Sequence, residues 1–125
     1  MIFTVDFESD EALYLQLCRQ VIVSIAALEL KNGDSLPSVR QLAEDIGINM
    51  HTVNKAYSLL RDEGYVVIDR RHGAVISVDA ERLRNARELA DDLRVIVARA
   101  LCRNMSREDI HAIVDEVLQE FTLLP

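Results

Sequence analysis

The densest hydrogen-bonding chemistry in this 125-residue sequence lies in one short run, His51-Thr52-Val53-Asn54-Lys55. Asparagine pairs bidentately with adenine, lysine donates to guanine or to phosphate, threonine offers a hydroxyl and a methyl group, and histidine donates to guanine or phosphate. These are side chains with which a helix reads base edges in a duplex groove. A second group, Arg70-Arg71-His72-Gly73, is compact and basic, which suits contact with phosphates or the minor groove. Arg40 supplies one more cation, and Ser38 and Asn49 stand where the segments carrying these groups begin.

Such residues act together only if the chain positions them, and the surrounding sequence supplies the means. From Asn49 or Met50 to about Glu63 the residues fit a helix. At about 100° per residue, Val53, Ala56, Tyr57 and Leu60 share one side, and His51, Lys55 and Ser58 lie almost opposite, flanked by Thr52 and Asn54. The polar residues fall in the first two turns, where recognition helices meet bases, and Asp62 lies at the far end of the same face. Before it, Ser38 with Gln41 three residues on reads as a capping box. Val39, Leu42, Ala43 and Ile46 make an apolar face, and Gly47 suits a left-handed helix end. Only Ile48 and Asn49 then separate the two helices, which forces a sharp crossing.

After Gly64, Val66-Val67-Ile68 and Ala74-Val75-Ile76-Ser77-Val78 are rich in β-branched residues and enclose the basic run, so they read as a hairpin with a basic tip. Upstream, Phe3, Val5 and Phe7 alternate with polar residues. Ser9 or Asp10 is expected to cap a scaffold helix running to about Glu29, with the stripe Tyr14, Leu17, Val21, Ile25 and Leu28. Asn32-Gly33-Asp34 is expected to end that helix. The fold expected is mainly α with a small β-hairpin: a winged helix-turn-helix over residues 1–79, followed by two C-terminal dimerisation helices over 80–125.

The C-terminal pattern differs in kind. From Glu81, Leu83, Ala86, Ala90, Leu93, Val97 and Ala100 repeat at three and four, and Leu89 and Ile96 add a second apolar side. Asn104-Met105-Ser106 breaks the helix, and Ser106 with Asp109 forms a capping box for another. The stripe of that last helix is Ile110, Ile113, Val114, Val117, Leu118 and Phe121. Two such helices are too small to fold as a ligand-binding domain, so burial against a second copy is the physical solution. The dimer contacts expected are Leu83, Ala86, Leu89, Ala90, Leu93, Ile96, Val97, Ala100, Ile113, Val117 and Phe121. A monomer with both helices folded back is the competing arrangement.

The net charge of −7 argues against a polyanionic partner until it is located. Residues 1–30 hold five acids and one base, residues 31–73 six of each, and residues 74–125 ten acids and seven bases. The acidity therefore lies outside the motif, and a modest salt dependence is expected. No apolar run approaches the roughly 20 residues of a membrane span, and no signal peptide is visible. A cytoplasmic protein is the expectation. Cys18 and Cys102 lack C-x-x-C spacing and read as small buried apolar residues. His51, His72, His111 and the cysteines are too scattered for a metal sensor, and no Gly-rich phosphate loop or nucleophile–base constellation suggests an enzyme. No metal or cofactor is expected.

The runs Leu36-Pro37-Ser38-Val39-Arg40-Gln41-Leu42-Ala43, Thr52-Val53-Asn54-Lys55-Ala56-Tyr57 and Leu60-Arg61-Asp62-Glu63-Gly64 resemble the winged-helix domain of the GntR family of bacterial transcription regulators. The short two-helix C-terminus resembles its YtrA-type subfamily. The resemblance implies a dimeric repressor of a palindromic operator in double-stranded DNA. Arg40, the recognition-helix residues and Gly73 would meet the duplex, and transporter operons are a frequent target. The residues assigned to DNA are Ser38, Arg40, Asn49, His51, Thr52, Asn54, Lys55, Arg70, Arg71, His72 and Gly73. Two places depart from the subfamily pattern. Asn49-Met50-His51-Thr52 replaces Asn-Pro-Asn-Thr, and Arg70-Arg71-His72-Gly73 replaces Arg-Gly-x-Gly; the fold is expected to survive both and the operator to differ. A small-molecule effector seated between helices and winged domains would act by population shift, but the sequence names no ligand. The rival function is a winged-helix protein-interaction module without DNA binding, which predicts no salt-dependent affinity for a duplex.

Overall fold

In a computed structural model, which describes residues 1–121, the order of elements is α1 Leu13–Ala26, α2 Val39–Ile46, α3 Met50–Glu63, β1 Val66–Asp69, β2 Gly73–Ile76, α4 Ala80–Leu83, α5 Ala86–Cys102 and α6 Arg107–Phe121. The fold is mainly helical with one antiparallel hairpin, and the chain divides into two units after Leu83. Residues 122–125 of the expected C-terminal region lie outside the described residues.

The first unit holds the core. Leu17, Val21, Leu42, Val53, Leu60 and Ile76 are its largest fully buried side chains, contributed by α1, α2, α3 and β2. Burial of each such side chain is worth about 1.5–3 kcal/mol. α1 packs on α3, where the Cys18 thiol donates to the Ala56 carbonyl at 3.4 Å. Burial pushes that thiol up to about 11, with the nearby Glu63 carboxylate adding to the rise. Cys102, by contrast, is exposed, which corrects the expectation that both cysteines are buried. It ends a helix none of whose side chains is buried.

α1 starts later than Ser9 or Asp10. Its N-cap is Ala12, because the preceding backbone is occupied elsewhere: the Ser9 hydroxyl accepts from Glu11 N–H, and the Gln16 amide bonds to Asp6 and Glu11. Gln16 and Gln20 thus strap the extended N-terminus to α1, with Gln20 bonding both ways to Thr4. Phe3 is buried by this strap, and Phe7, in the turn beyond it, is exposed.

α1 also ends early, before Asn32. Leu28 takes the left-handed conformation at φ 63°, which costs roughly 1–2 kcal/mol for a non-glycine residue, and Leu30 turns into the core. Leu28 itself is exposed rather than part of the buried stripe. The Asn32-Gly33-Asp34 turn does form, and it aligns residues 33–36 against β2. Gly33 N–H and Leu36 N–H donate to Ile76 and Ala74 carbonyls at 2.8 Å, and Ser35 bridges Val75.

The single helix expected from Glu81 is interrupted where the first unit ends. α4 closes at Leu83, and Asn85 caps α5 by accepting from Glu88 N–H at 3.1 Å. Asn104, at φ 63°, then turns the chain. Both bonds of the Ser106–Asp109 capping box are present, at 3.0 and 3.1 Å.

Candidate nucleic-acid interface

The helix-turn-helix is built from three local signals. Ser38 Oγ accepts from Gln41 N–H at 3.0 Å and starts α2, and Gly47 at φ 73° ends it. The reciprocal half of that capping box is absent, since the Gln41 side chain donates to Asp45 at 2.7 Å instead. Asn49 then starts α3 by accepting from His51 N–H at 2.7 Å, so its amide orders the helix end that would face a groove. Proline is dispensable at Met50 because this cap fixes the helix start. Tyr57 ties the two helices together by donating to the Pro37 carbonyl at 2.8 Å, and burial raises its hydroxyl well above the usual tyrosine range.

On α3 the inward face is Val53, Ala56, Tyr57 and Leu60, all buried. His51, Asn54 and Lys55 are exposed, and Thr52 is half-buried. The far end of α3 is closed by Gly64 at φ 101° and by Arg82 of α4, whose guanidinium donates to the Asp62 carbonyl. Arg61 pairs with Asp62 at that end, away from the first turns. Arg40, in the first turn of α2, is exposed and borders a shallow cleft of ≈ 330 Å³ at the α2–α3 turn, with Met50 on its rim.

The wing is the β1–β2 hairpin, with Val66 opposite Ile76 and Asp69 opposite Gly73. Arg70, Arg71 and His72 form its exposed turn. Asp69 organises the turn: it accepts from Arg71 N–H at 2.7 Å and meets His72 Nδ1 at 3.0 Å. The His72 bond and the Arg71 bond hold its carboxyl below the usual carboxylate range. Gly73 has φ 71°, whereas Arg71 is not among the residues with positive φ, so arginine is accommodated where the subfamily has glycine. Among the described residues, Arg40, Arg70 and Arg71 form no ion pair, which leaves their charges available to an anion.

Sequence reasoning missed two residues here. Asp69 was legible in principle, because aspartate opening a turn bonds its own backbone two residues on. Tyr14 was not: its ring lies under the Lys55 ammonium, 4.1 Å from Nζ to the centroid, a contact between α1 and α3 that no local spacing reveals.

The residues assigned to dimerisation fall on three elements. Leu83 lies in α4 of the first unit; Ala86, Leu89, Ala90, Leu93, Ile96, Val97 and Ala100 lie on α5; Ile113, Val117 and Phe121 lie on α6. None is buried. Within the second unit, Leu93, Ile96, Val97 and Ala100 face Ile113 and Val114 across a groove of ≈ 350 Å³. No helix among the described residues is long and apolar enough to cross a membrane, and no three metal-binding side chains converge among them.

Comparison with known proteins agrees with this architecture. The model of the family described as "Bacterial regulatory proteins, gntR family" matches residues 13–76, from the start of α1 to the end of β2. The chain is 30% identical over 116 residues to the HTH-type transcriptional repressor YtrA of Bacillus subtilis, covering 90% of this chain and 89% of that one. Among solved structures, YtrA from Sulfolobus acidocaldarius, a GntR-family transcription factor, is 44% identical with a TM-score of 0.59, covering 94% of this chain and 97% of that one. A transcriptional antiterminator from Listeria monocytogenes EGD-e superposes with a TM-score of 0.85 at 25% identity, covering 97% and 92%. The chain belongs to the GntR family and to its YtrA-type subfamily, and it is a DNA-binding transcription regulator with a winged helix-turn-helix, not an enzyme.

Proposed function

We propose that the protein is a homodimeric repressor that reads a palindromic operator. The observation that carries this reading is the state of α5 and α6. Neither helix has a buried side chain, while Leu89, Ile96 and Leu101 stand 61%, 59% and 57% exposed. Apolar stripes of that kind are stabilised by a second copy about a two-fold axis. The first unit, whose core is complete, then appears twice, and the two α3 helices meet successive major grooves about 34 Å apart or a multiple of it. In this arrangement His51 and Asn54 meet base edges, Thr52 offers its hydroxyl from the α1 side of the helix, Arg40 meets phosphate, and Arg70 and Arg71 carry the wing tip onto the backbone or minor groove. Repression follows the named activity of the Bacillus subtilis relative. A transporter operon as the target rests on the subfamily likeness alone.

The test is a fluorescence titration against DNA upstream of the protein's own operon at two salt concentrations. Arg40→Ala should weaken binding to specific and non-specific duplexes alike and reduce the salt slope by about 1. His51→Ala or Asn54→Ala should cost about 1–3 kcal/mol and relax preference at single base pairs. Parental binding by all three variants would remove the contact assignment.

A further inference from the structure

The Lys55–Tyr14 contact divides the exposed face of α3. One edge of this helix packs on α1, where Cys18 bonds Ala56; the other carries Tyr57, bonded to Pro37 at the entrance to α2. At about 100° per residue, Lys55 lies near the middle of the exposed face beside His51, on the side toward α1, where Leu59 and Thr52 follow, while Asn54 and Ser58 lie toward the α2 edge. The Tyr14 ring then draws the ammonium still farther toward α1, holding Nζ 4.1 Å from its centroid. Tyr14 is half-buried and packs against the core, so it is a fixed platform, whereas Lys55 is exposed and otherwise free to rotate.

We propose that Tyr14 is a positioning residue that fixes Lys55 as a phosphate contact on the flank of the recognition helix, leaving base readout to His51 and Asn54. A helix seated in a major groove turns its centre toward base edges and its flanks toward the two phosphate rows. A cation held at the flank meets a phosphate, which positions the protein without carrying sequence information. A lysine ammonium also works as a point charge and needs only to be placed, not oriented. The aromatic face supplies the placement before DNA arrives, so less side-chain freedom is lost on binding. The inference rests on the proposed reading of the first unit as the DNA reader.

The experiment uses the full chain and a labelled duplex selected by the parent protein from a random-sequence pool, with a scrambled duplex of the same length beside it. Lys55→Gln should weaken both duplexes by the same factor and lower the slope of log K against log salt by about 0.9. Tyr14→Leu should weaken both by about 2–5-fold, and Tyr14→Phe, which keeps the ring face, should bind like the parent. The double variant Tyr14→Leu/Lys55→Gln should bind no worse than Lys55→Gln alone. Loss of preference at one base pair in Lys55→Gln with an unchanged salt slope would make Lys55 a base reader and overturn the proposal. So would equal behaviour of Tyr14→Leu and Tyr14→Phe, or additive effects in the double variant.

A DNA-free readout separates this inference from the function on which it rests. In the free parent protein the Lys55 ε-methylene proton resonances should be shifted upfield by the Tyr14 ring and return to ordinary values in Tyr14→Leu. Ordinary values in the parent would overturn the positioning even if DNA binding stands. A shifted resonance in a protein that binds no duplex would instead overturn the DNA reading, and the phosphate role with it.

Discussion

Helices α3 and α5 are both amphipathic and similar in length, yet their apolar faces meet opposite fates. On α3, Val53, Ala56 and Leu60 are entirely shielded from solvent; on α5, Leu89 and Ile96 remain 61% and 59% exposed. α3 has α1, α2 and β1 to pack against, so one chain completes it and its polar face is left for a ligand. α5 has only α6 within its own unit, and the pair retains an open groove rather than a core. On the proposed reading, recognition belongs to the part of the molecule whose apolar faces are buried within one chain, and assembly to the part whose apolar faces are left exposed.

Breaking the α3 side should have the largest effect. Leu60→Ala removes a fully buried side chain and should cost about 2–5 kcal/mol, read as a lower denaturant midpoint with an unchanged slope. The corresponding truncation on α5, Ile96→Ala, should leave the stability of the first unit unchanged; a loss comparable to Leu60→Ala would dissolve the distinction between the two regions.

A smaller effect sharpens the comparison at the helix ends. Asn49→Ala removes the side-chain cap of α3 and should cost about 1 kcal/mol, with increased amide exchange confined to the first turn. The loss should also weaken operator binding, because the turn that frays carries His51 and Thr52. Unchanged affinity in a frayed variant would show that the start of α3 does not enter the groove.

The two cysteines offer the mildest test, since one sits in each kind of environment. Iodoacetamide at mildly alkaline pH should label exposed Cys102 and spare Cys18, with the products mapped by peptide mass. Cys18 ionises only at about 11 in the folded state, above the ordinary thiol range. Stability should therefore fall as pH climbs from that range toward 11, where the unfolded chain gains a thiolate that the folded chain resists. Asp69 has the opposite sign. Its depressed carboxyl contributes above the ordinary carboxylate value, and the contribution is lost as pH falls through the lower folded value, so the wing turn should loosen only in acid.

What the sequence disclosed was mostly local. Ser38, Gly47, Gly64 and the Ser106–Asp109 pair mark helix ends through bonds to residues within a turn, and each of those ends is found where its signal stands. Helical spacing likewise separates Val53, Ala56, Tyr57 and Leu60 from His51, Asn54 and Lys55. Illegible features depend on distant partners. Leu28 turns left-handed at the end of α1, with Leu30 beyond it in the core, and residues 33–36 straighten because β2 offers an edge. By spacing alone Lys55 is one more polar residue on an outward face, and the Tyr14 ring beneath it comes from α1, distant in sequence. Asn85 was readable as a helix start, but the apolar repeat running across it from Leu83 to Ala86 masked the break.

The most direct test of the division between a complete reader and an incomplete assembly surface is the mass of the protein–DNA complex, measured by light scattering or mass photometry on a duplex selected by the parent. The parent should give two chains per duplex. Ile96→Glu combined with Val117→Glu should give monomers with an intact first unit, and operator affinity should drop by about 100-fold or more as the linked second half-site contact is lost. One chain per duplex in the parent, or undiminished dimeric binding by the doubly charged variant, would contradict the account.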